Sequence, residues 1–520
     1  MIFKATIQMK SILASVTCHL SAFLIALAGL AGPARCDLSA NEAWAGLVGL
    51  LTDLTVQIQA TQETGPDGAV LLKDLLLASP FSGGQISVGI EGVSLRPRAD
   101  GTVELILPDA SSLQVSYTPK GRDPLVFEPK LTFDDLSIVM SGTPDDLFAT
   151  VAAGSVGILL DAFPKEFLAE PAQVSAAGTN VSATLRRTLS GQSELKVTWA
   201  AEGGTLDARL DSEWSPMRFA AATGKQSLDM ALTWPAAGKL DTNVSSGFSA
   251  RIVSEAKDLT YRLTQKYDLA AKEPGRMIFG YSAEAFSRGF DISKDGLKDV
   301  SRELGAEFSF ELSWFRALLD FPFDWPSLIF VRAEKQVIET EYPTVPGGEG
   351  APYAYSYELS GLTLADKTWR RIDPDNHLPR DEGHVRFRLN GLADPDDDFV
   401  AGLIAGPEYG FPGRFLTASV DAFGAEFLGL SLEAGGKGDV VYDEYGQATF
   451  VGTLDMKAAG PAGLIEKLRA LGSFEPEDLA ALLPLLETYA ERSGPDTYTS
   501  VVDFRPGGTI AANGVALFGE

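Results

Sequence analysis

Leu228-Asp229-Met230-Ala231-Leu232-Thr233-Trp234 places a large apolar side chain at every second position, with small or polar residues between. That period of two belongs to a β-strand, whose successive side chains point to opposite faces. The pattern returns along the chain. Leu195, Val197 and Trp199 alternate with Lys196 and Thr198; Phe308, Phe310 and Leu312 with Glu307, Ser309 and Glu311; Val385, Phe387 and Leu389 with Arg386 and Arg388. One apolar and one polar face on each segment predicts antiparallel sheet with one wetted side. Turn-forming pairs separate the segments, as hairpins require: Asp100-Gly101 between 86–95 and 102–107, Gly203-Gly204 before 206–210, and Tyr445-Gly446 between Val440 and Phe450. The expected class is mainly β, a β-rich α+β fold built as an extended twisted antiparallel sheet or as packed sheets. No repeat of fixed period marks a propeller.

Helices are expected at few places. Residues 41–56 carry Trp44, Leu47, Val48, Leu51 and Leu54 at helical spacing, and residues 145–163 are a second candidate. Near the end, Leu464, Ile465, Leu468 and Leu471 form one apolar stripe and Leu479, Leu482, Leu486 and Tyr489 another, divided by Gly472-Ser473. This predicts a helical hairpin near 461–492, with Pro484 kinking its second helix. Residues 497–504 and 509–515, flanking Pro506-Gly507-Gly508, suit a final β-hairpin. Glycines and prolines at 343–352 mark the best linker, and 394–412 is a second loop-rich region. The expected division is a signal peptide over 1–36, a β-rich region over 37–340, and a β-rich region carrying the helical hairpin over 341–520.

The first 36 residues have their own logic. Lys4 and Lys10 precede an uncharged, largely apolar run over 11–32, and Ala34-Arg35-Cys36 stands just before Asp37. A positive start, an apolar stretch and small residues at the first and third positions before a polar start describe a cleavable export signal. The run is long enough to be retained as a membrane anchor, but Gly32-Pro33 favours cleavage. Arg35 stands where lipidation of Cys36 would call for a small residue. The bacterial periplasm is the expected compartment, with no membrane span left after cleavage.

Cleavage would remove both cysteines, Cys18 and Cys36, leaving no thiol for disulfides, thiolate catalysis or zinc. Composition then narrows the partners. The chain has 70 acidic against 43 basic residues, a formal net charge of −27, and loss of Lys4, Lys10 and Arg35 makes it more acidic still. Without a Lys/Arg cluster interleaved with aromatics, nucleic acid is not an expected partner.

A search for chemistry yields no catalytic, cofactor-binding or metal-ligating residue. Beyond the signal only His377 and His384 remain. The densest acids, Asp373, Asp375, Asp381 and Glu382 followed by Asp394 and 396–398, suggest at most a calcium loop. Counted from Asp373, however, Leu378 and His384 occupy the glycine and glutamate positions of an EF-hand. No Gly-x-Ser-x-Gly elbow or phosphate-binding glycine loop occurs, and the Ser-x-x-Lys pairs Ser193–Lys196 and Ser254–Lys257 lie in strand-like sequence. Aromatics are the remaining signal: Tyr353, Tyr355 and Tyr357 on one strand face, and Trp314, Phe315, Phe321, Phe323, Trp325 and Phe330 crowded in one segment. They suit sheet packing, or an apolar groove for acyl chains.

The pattern Leu464-Ile465-x-x-Leu468-x-x-Leu471-Gly472, then Glu477-Asp478-Leu479, Asp496-Thr497-Tyr498-Thr499, and Gly507-Gly508-Thr509-Ile510 with Asn513-Gly514, resembles an alphaproteobacterial family of periplasmic proteins defined only as a domain of unknown function. The resemblance extends in style over most of the mature chain. It implies no activity, cofactor or catalytic residue. More distantly, the run of amphipathic strands is similar to envelope proteins that move lipids along β-sheet grooves, a likeness of fold alone. The expectation is a non-enzymatic envelope protein without cofactor, binding lipid or another apolar ligand on a sheet groove. The alternatives are a structural or protein-interaction module with an envelope partner, and a carboxylate-dependent hydrolase, whose acid pair is a tertiary property. An outer-membrane barrel fits poorly with the helical C-terminal region and the end Phe518-Gly519-Glu520.

Overall fold

The computed structural model describes residues 37–518 except 82–83, 109–112, 120–122, 162, 164–171, 191, 212–214, 236–239, 268–274, 313–327, 406–411, 444–445 and 473–475. The expected export signal at 1–36 therefore lies outside the described residues, as do Trp314, Phe315, Phe321, Phe323, Trp325, Tyr445, Ser473 and the last two residues. Of the described residues, 67% are strand and 14% helix. The described strand pairings are antiparallel, including Gln192–Ala201 with Gln226–Pro235, where Leu195 faces Leu232 and Trp199 faces Leu228. It is the mainly β class that the alternation predicts.

The chain folds as two compact units. The first takes the described residues up to Asp211 with those of Ala222–Thr242 and Ser246–Ala256; the second takes those of Ser212–Ala221, Asn243–Ser245 and Lys257–Glu520.

The first unit opens with helix α1 (Ala40–Asp53), started by a capping box in which Ser39 and Glu42 satisfy each other's backbone N–H groups. Its apolar stripe buries Trp44, Leu47, Leu50 and Leu51. With Leu72, Val93, Leu95, Val103, Leu113, Met140 and Leu147 from the strands, they make the buried core of the unit. Two glycines let the helix approach closely. A Cβ at Gly46 would lie 2.9 Å from Leu147 Cδ2, and one at Gly49 would lie 3.0 Å from Arg187 Nη1. The Arg187 guanidinium, 6% exposed, donates to Asp53 Oδ2 at 2.6 Å and to the Pro144 carbonyl at 3.1 Å, fastening the end of α1 to the sheet.

Residues 145–163, a helix candidate by sequence, form the strand Asp146–Leu160. Leu147, Ala149, Val151 and Ala153 are buried in strict alternation, and the strand bonds to Ala172–Ser190 on one side and to Ser137–Thr143 and Lys130–Asp134 on the other. Ladders on both edges, the β-branched Thr150, Val151, Val156 and Ile158, and Gly154 and Gly157 outweigh a spacing that also fits a helix.

The second unit is a meander of long strands. Gly275–Ser293, Gly296–Leu312, Leu328–Tyr342, Ala351–Leu364, Gly383–Pro395, Gly413–Phe427, Leu430–Tyr442 and Ala448–Ala459 each pair with the next. The glycine- and proline-rich 343–352 stretch connects two paired strands inside this unit. Short helices α2 (Asp366–Ile372) and α3 (Phe399–Ala405) fill connections. The predicted helical hairpin is α4 (Pro461–Leu471) and α5 (Pro476–Tyr489), inserted between Ala448–Ala459 and its partner Thr497–Phe504. Gly472 ends α4 in the left-handed conformation, and α5 runs through Pro484. Asp496 caps α4 from beyond the hairpin, its carboxylate accepting from the Ala462 and Gly463 N–H groups at 2.8 and 2.9 Å. Asn513-Gly514 forms the turn between Ile510–Ala512 and Val515–Phe518, both residues at positive φ. No described helix is long and apolar enough to cross a membrane.

Candidate functional site

Within the second unit, an aromatic recess of about 250 Å³ is lined by Leu259, Tyr261, Tyr281, Phe286, Glu303, Phe308 and Gln336. The strands dictate its rows. Tyr281 faces Phe308, and Phe279 faces Phe310 one step along the same side. Tyr261, on Ser249–Tyr267, stacks on Tyr281 with ring centres 4.6 Å apart and on Phe279 at 5.8 Å; Tyr281 and Phe308 are 5.0 Å apart. Ala283 and Ala306, fully or nearly buried, keep the floor shallow beside these rings. The row continues outward, since Phe310 remains 40% exposed.

The polar end of the recess needs a break in the strand. Glu303 and Phe308 are five residues apart, so an unbroken strand would send them to opposite faces. Both line the recess. Between them Gly305 takes a φ of +60°, and the ladders on both sides skip this point, from Leu304 to Glu307 on one side and from Leu304 to Ala306 on the other. One left-handed residue shifts the alternation and turns Glu303 onto the aromatic side. A Cβ at Gly305 would lie 2.5 Å from Glu284 Cδ, so the position suits glycine twice over. Gly361, at φ +65°, makes a comparable break in Ala351–Leu364.

Burial, and then the adjoining Glu303 carboxylate, push the Tyr281 phenol far above its ordinary range. The hydroxyl adjoins that carboxylate but has no partner in hydrogen-bond geometry. Tyr261 is raised by burial and then by the same charge. Elsewhere the shifted carboxyls are held low: Glu42 by Ser39, Asp100 by Thr102, Asp161 by Lys130. A general acid requires the opposite shift, so none of these three is suited to that role.

The acid-rich segment is occupied with holding loops. The fully buried Asp373 accepts from the His377 and Leu378 N–H groups, both at 2.8 Å, and Asp394 Oδ1 accepts from Gly347 and Gly348 at 3.0 and 3.2 Å. Among the described residues no group of His, Cys, Asp and Glu is arranged to hold a metal ion. His384 pairs with Glu426 at 3.6 Å, and Lys196 of the first Ser-x-x-Lys pair is bound to Glu194 at 2.6 Å. Ser254 and Lys257 lie within Ser249–Tyr267. Of the three tyrosines, Tyr353 packs on Phe415 at 5.0 Å and bonds the Thr417 carbonyl, while Tyr355 meets Phe387. Phe330, described apart from its aromatic segment, lies under Lys367 Nζ. The recess residues were not singled out by sequence as a site. Phe308 and Phe310 were visible as strand positions, and the signal for Glu303 is Gly305 interrupting that alternation.

No protein-family model, curated protein or solved structure matches the chain.

Proposed function

We propose that this chain is an exported, non-enzymatic protein of the periplasm that binds lipid or another apolar ligand against the sheet of its second unit. The observation that carries the reading is the recess and its continuation: rings from three strands line one side, and Phe310 at its margin stays 40% exposed. Exposed aromatic surface beside a preformed hollow is where an apolar ligand gains most by leaving water. Export rests on the sequence of residues 1–36 alone.

Native mass spectrometry of the protein purified from its own envelope tests the reading. The expected result is a bound mass on the wild-type protein that is lost from Phe308→Asp while Leu485→Asp retains it. A ligand-free wild-type protein overturns the reading. A second reading is favoured by α5, where Leu482 and Leu485 are 45% and 56% exposed: a protein-interaction module docking an envelope partner through that helix. Capture of a partner by the wild-type protein and its loss with Leu485→Asp, with no ligand bound, selects it.

A further inference from the structure

Among the described residues, the Glu303 carboxylate of the recess is paired with no cation. In the surrounding sheet, several carboxylates meet cations of other strands: Lys298 Nζ lies 2.7 Å from Glu341, Arg288 Nη2 2.6 Å from Asp299 and Lys335 Nζ 3.3 Å from Glu358 on adjacent strands, and Arg332 Nη2 reaches Glu284 two strands away at 3.7 Å. Glu303 departs from this rule. Its cross-strand neighbours are Phe286 on one side and Gln336 on the other, both neutral. The break at Gly305 places its carboxylate on the same side as the rings of Tyr281 and Phe308. Beside it stands the Tyr281 hydroxyl, on a side chain only 6% exposed and without a hydrogen-bond partner.

We infer that the recess binds an organic cation, a methylated ammonium group, with Glu303 as its counter-charge and the rings of Tyr261, Tyr281, Phe286 and Phe308 as its walls. This rests on the reading of the recess as a ligand site and names the chemistry of the ligand. Aromatic rings attract cations through their negative faces, and most strongly when water is excluded. Apolar methyl groups on the cation match the walls, while its charge answers Glu303. A neutral apolar molecule would leave that carboxylate half-buried and unanswered, and an anion would be repelled. A bare divalent ion needs six or more oxygen ligands, and the lining offers one carboxylate, two phenol hydroxyls and one amide. The volume of about 250 Å³ admits a trimethylammonium group with a short tail. The same group occurs on free choline and on the head of a choline lipid.

Calorimetric titration of the purified full-length protein separates these possibilities, using choline, its neutral carbon isostere 3,3-dimethylbutanol, and monomeric short-chain phosphatidylcholine. The expected result is that choline or the lipid binds at least tenfold more tightly than the isostere. Glu303→Gln should remove that preference without changing the circular dichroism, and Phe308→Leu, which keeps the wall apolar but removes a ring, should weaken the cation more than the isostere. Tighter binding of the lipid than of choline assigns the group to a lipid head; equal binding assigns it to the free cation. Isostere binding as tight as choline, unchanged in Glu303→Gln, overturns the cation and leaves the apolar-ligand reading standing. No binding of any of the three probes overturns both.

Discussion

The two units use the same antiparallel sheet in opposite ways. Of the largest fully buried side chains, the first unit holds Trp234, Leu50, Leu72, Leu95, Leu113, Leu131, Met140, Leu147 and Val93, and the second holds Ile292 and Phe399. The large exposed apolar groups reverse the balance: Leu76 and Val126 in the first, and Leu304, Phe310, Leu392, Met456, Leu482 and Leu485 among those of the second. Arg187–Asp53 in the first, 6% and 16% exposed, stands apart from exposed ion pairs found in both units, such as Lys73–Glu63 at 49% and Lys298–Glu341 at 57% on both sides. A helix laid on short strands gives the first unit its interior. Both units have strands of up to 19 residues, but in the second their faces are mostly half-covered. Burial stabilises, and exposed apolar surface is what a ligand can use. The difference therefore places most of the fully buried apolar mass in the first unit and most of the exposed apolar surface in the second.

The strongest way to break this comparison is at Arg187. Arg187→Ala should cost about 3–5 kcal/mol, because it strands a largely buried carboxylate at the end of α1. Replacing both partners, as Arg187→Met with Asp53→Leu, should recover most of that loss. Chemical denaturation followed by tryptophan fluorescence measures both, and a loss below about 1 kcal/mol for Arg187→Ala would remove the pair as a fastening of the first unit.

Next in size is a matched pair of truncations. Leu147→Ala, at a fully buried position against Gly46, should cost about 2–5 kcal/mol. Phe310→Ala, at a 40% exposed position, should cost well under that and should lower ligand capture instead. Equal losses at the two positions would show that the second unit buries its face as the first does.

Gly305→Ala follows, at about 1–2 kcal/mol for forcing a side chain into the left-handed region, with Glu284 also displaced. Its sharper effect falls on the recess, since the break at 305 is what turns Glu303 toward Tyr281. The Tyr281 phenol should then titrate closer to its ordinary value in an alkaline absorbance titration. In the wild-type protein, a phenol raised in the fold contributes stability below its unfolded value near pH 10, and that contribution is lost as pH rises beyond it. An unchanged titration in Gly305→Ala would mean that Glu303 reaches the recess without the break.

That break also marks where sequence reading stops. Period two in 228–234 and 195–199 reports strands because alternate side chains share one face along each paired segment. The apolar stripes at 44–51, 464–471 and 479–489 report helices because their spacing is local. Residues 145–163 mislead because Leu147, Val151, Ile158 and the alanines fit either period, and the decision belongs to ladders formed with residues up to 190. The recess is less legible still. Alternation is visible from Glu307 to Leu312 and stops at Gly305, but which way Glu303 then faces depends on a φ value that no local pattern specifies. Asp373 and Asp394 looked like cation ligands because their acids crowd together; the structure commits both to backbone N–H groups.

The smallest effect tests the other end of the comparison. Lys298 and Glu341 meet at 2.7 Å across the Gly296–Leu312 and Leu328–Tyr342 strands, with both side chains more than half exposed. Hydrogen bonding to Glu341 lifts the Lys298 ammonium above its ordinary value, so the attraction is felt. Yet water screens an exposed pair, and holding two long side chains costs rotamer freedom. A double-mutant cycle with Lys298→Met and Glu341→Gln should therefore return a coupling of about 0.2–1 kcal/mol, falling as salt is added. A coupling comparable to that of Arg187 with Asp53 would mean that the exposed ladders carry the second unit's stability. The expected small value instead leaves the backbone ladders and partly buried apolar side chains to hold that unit, with Glu303 set apart from its ion-paired neighbours for a role outside the fold.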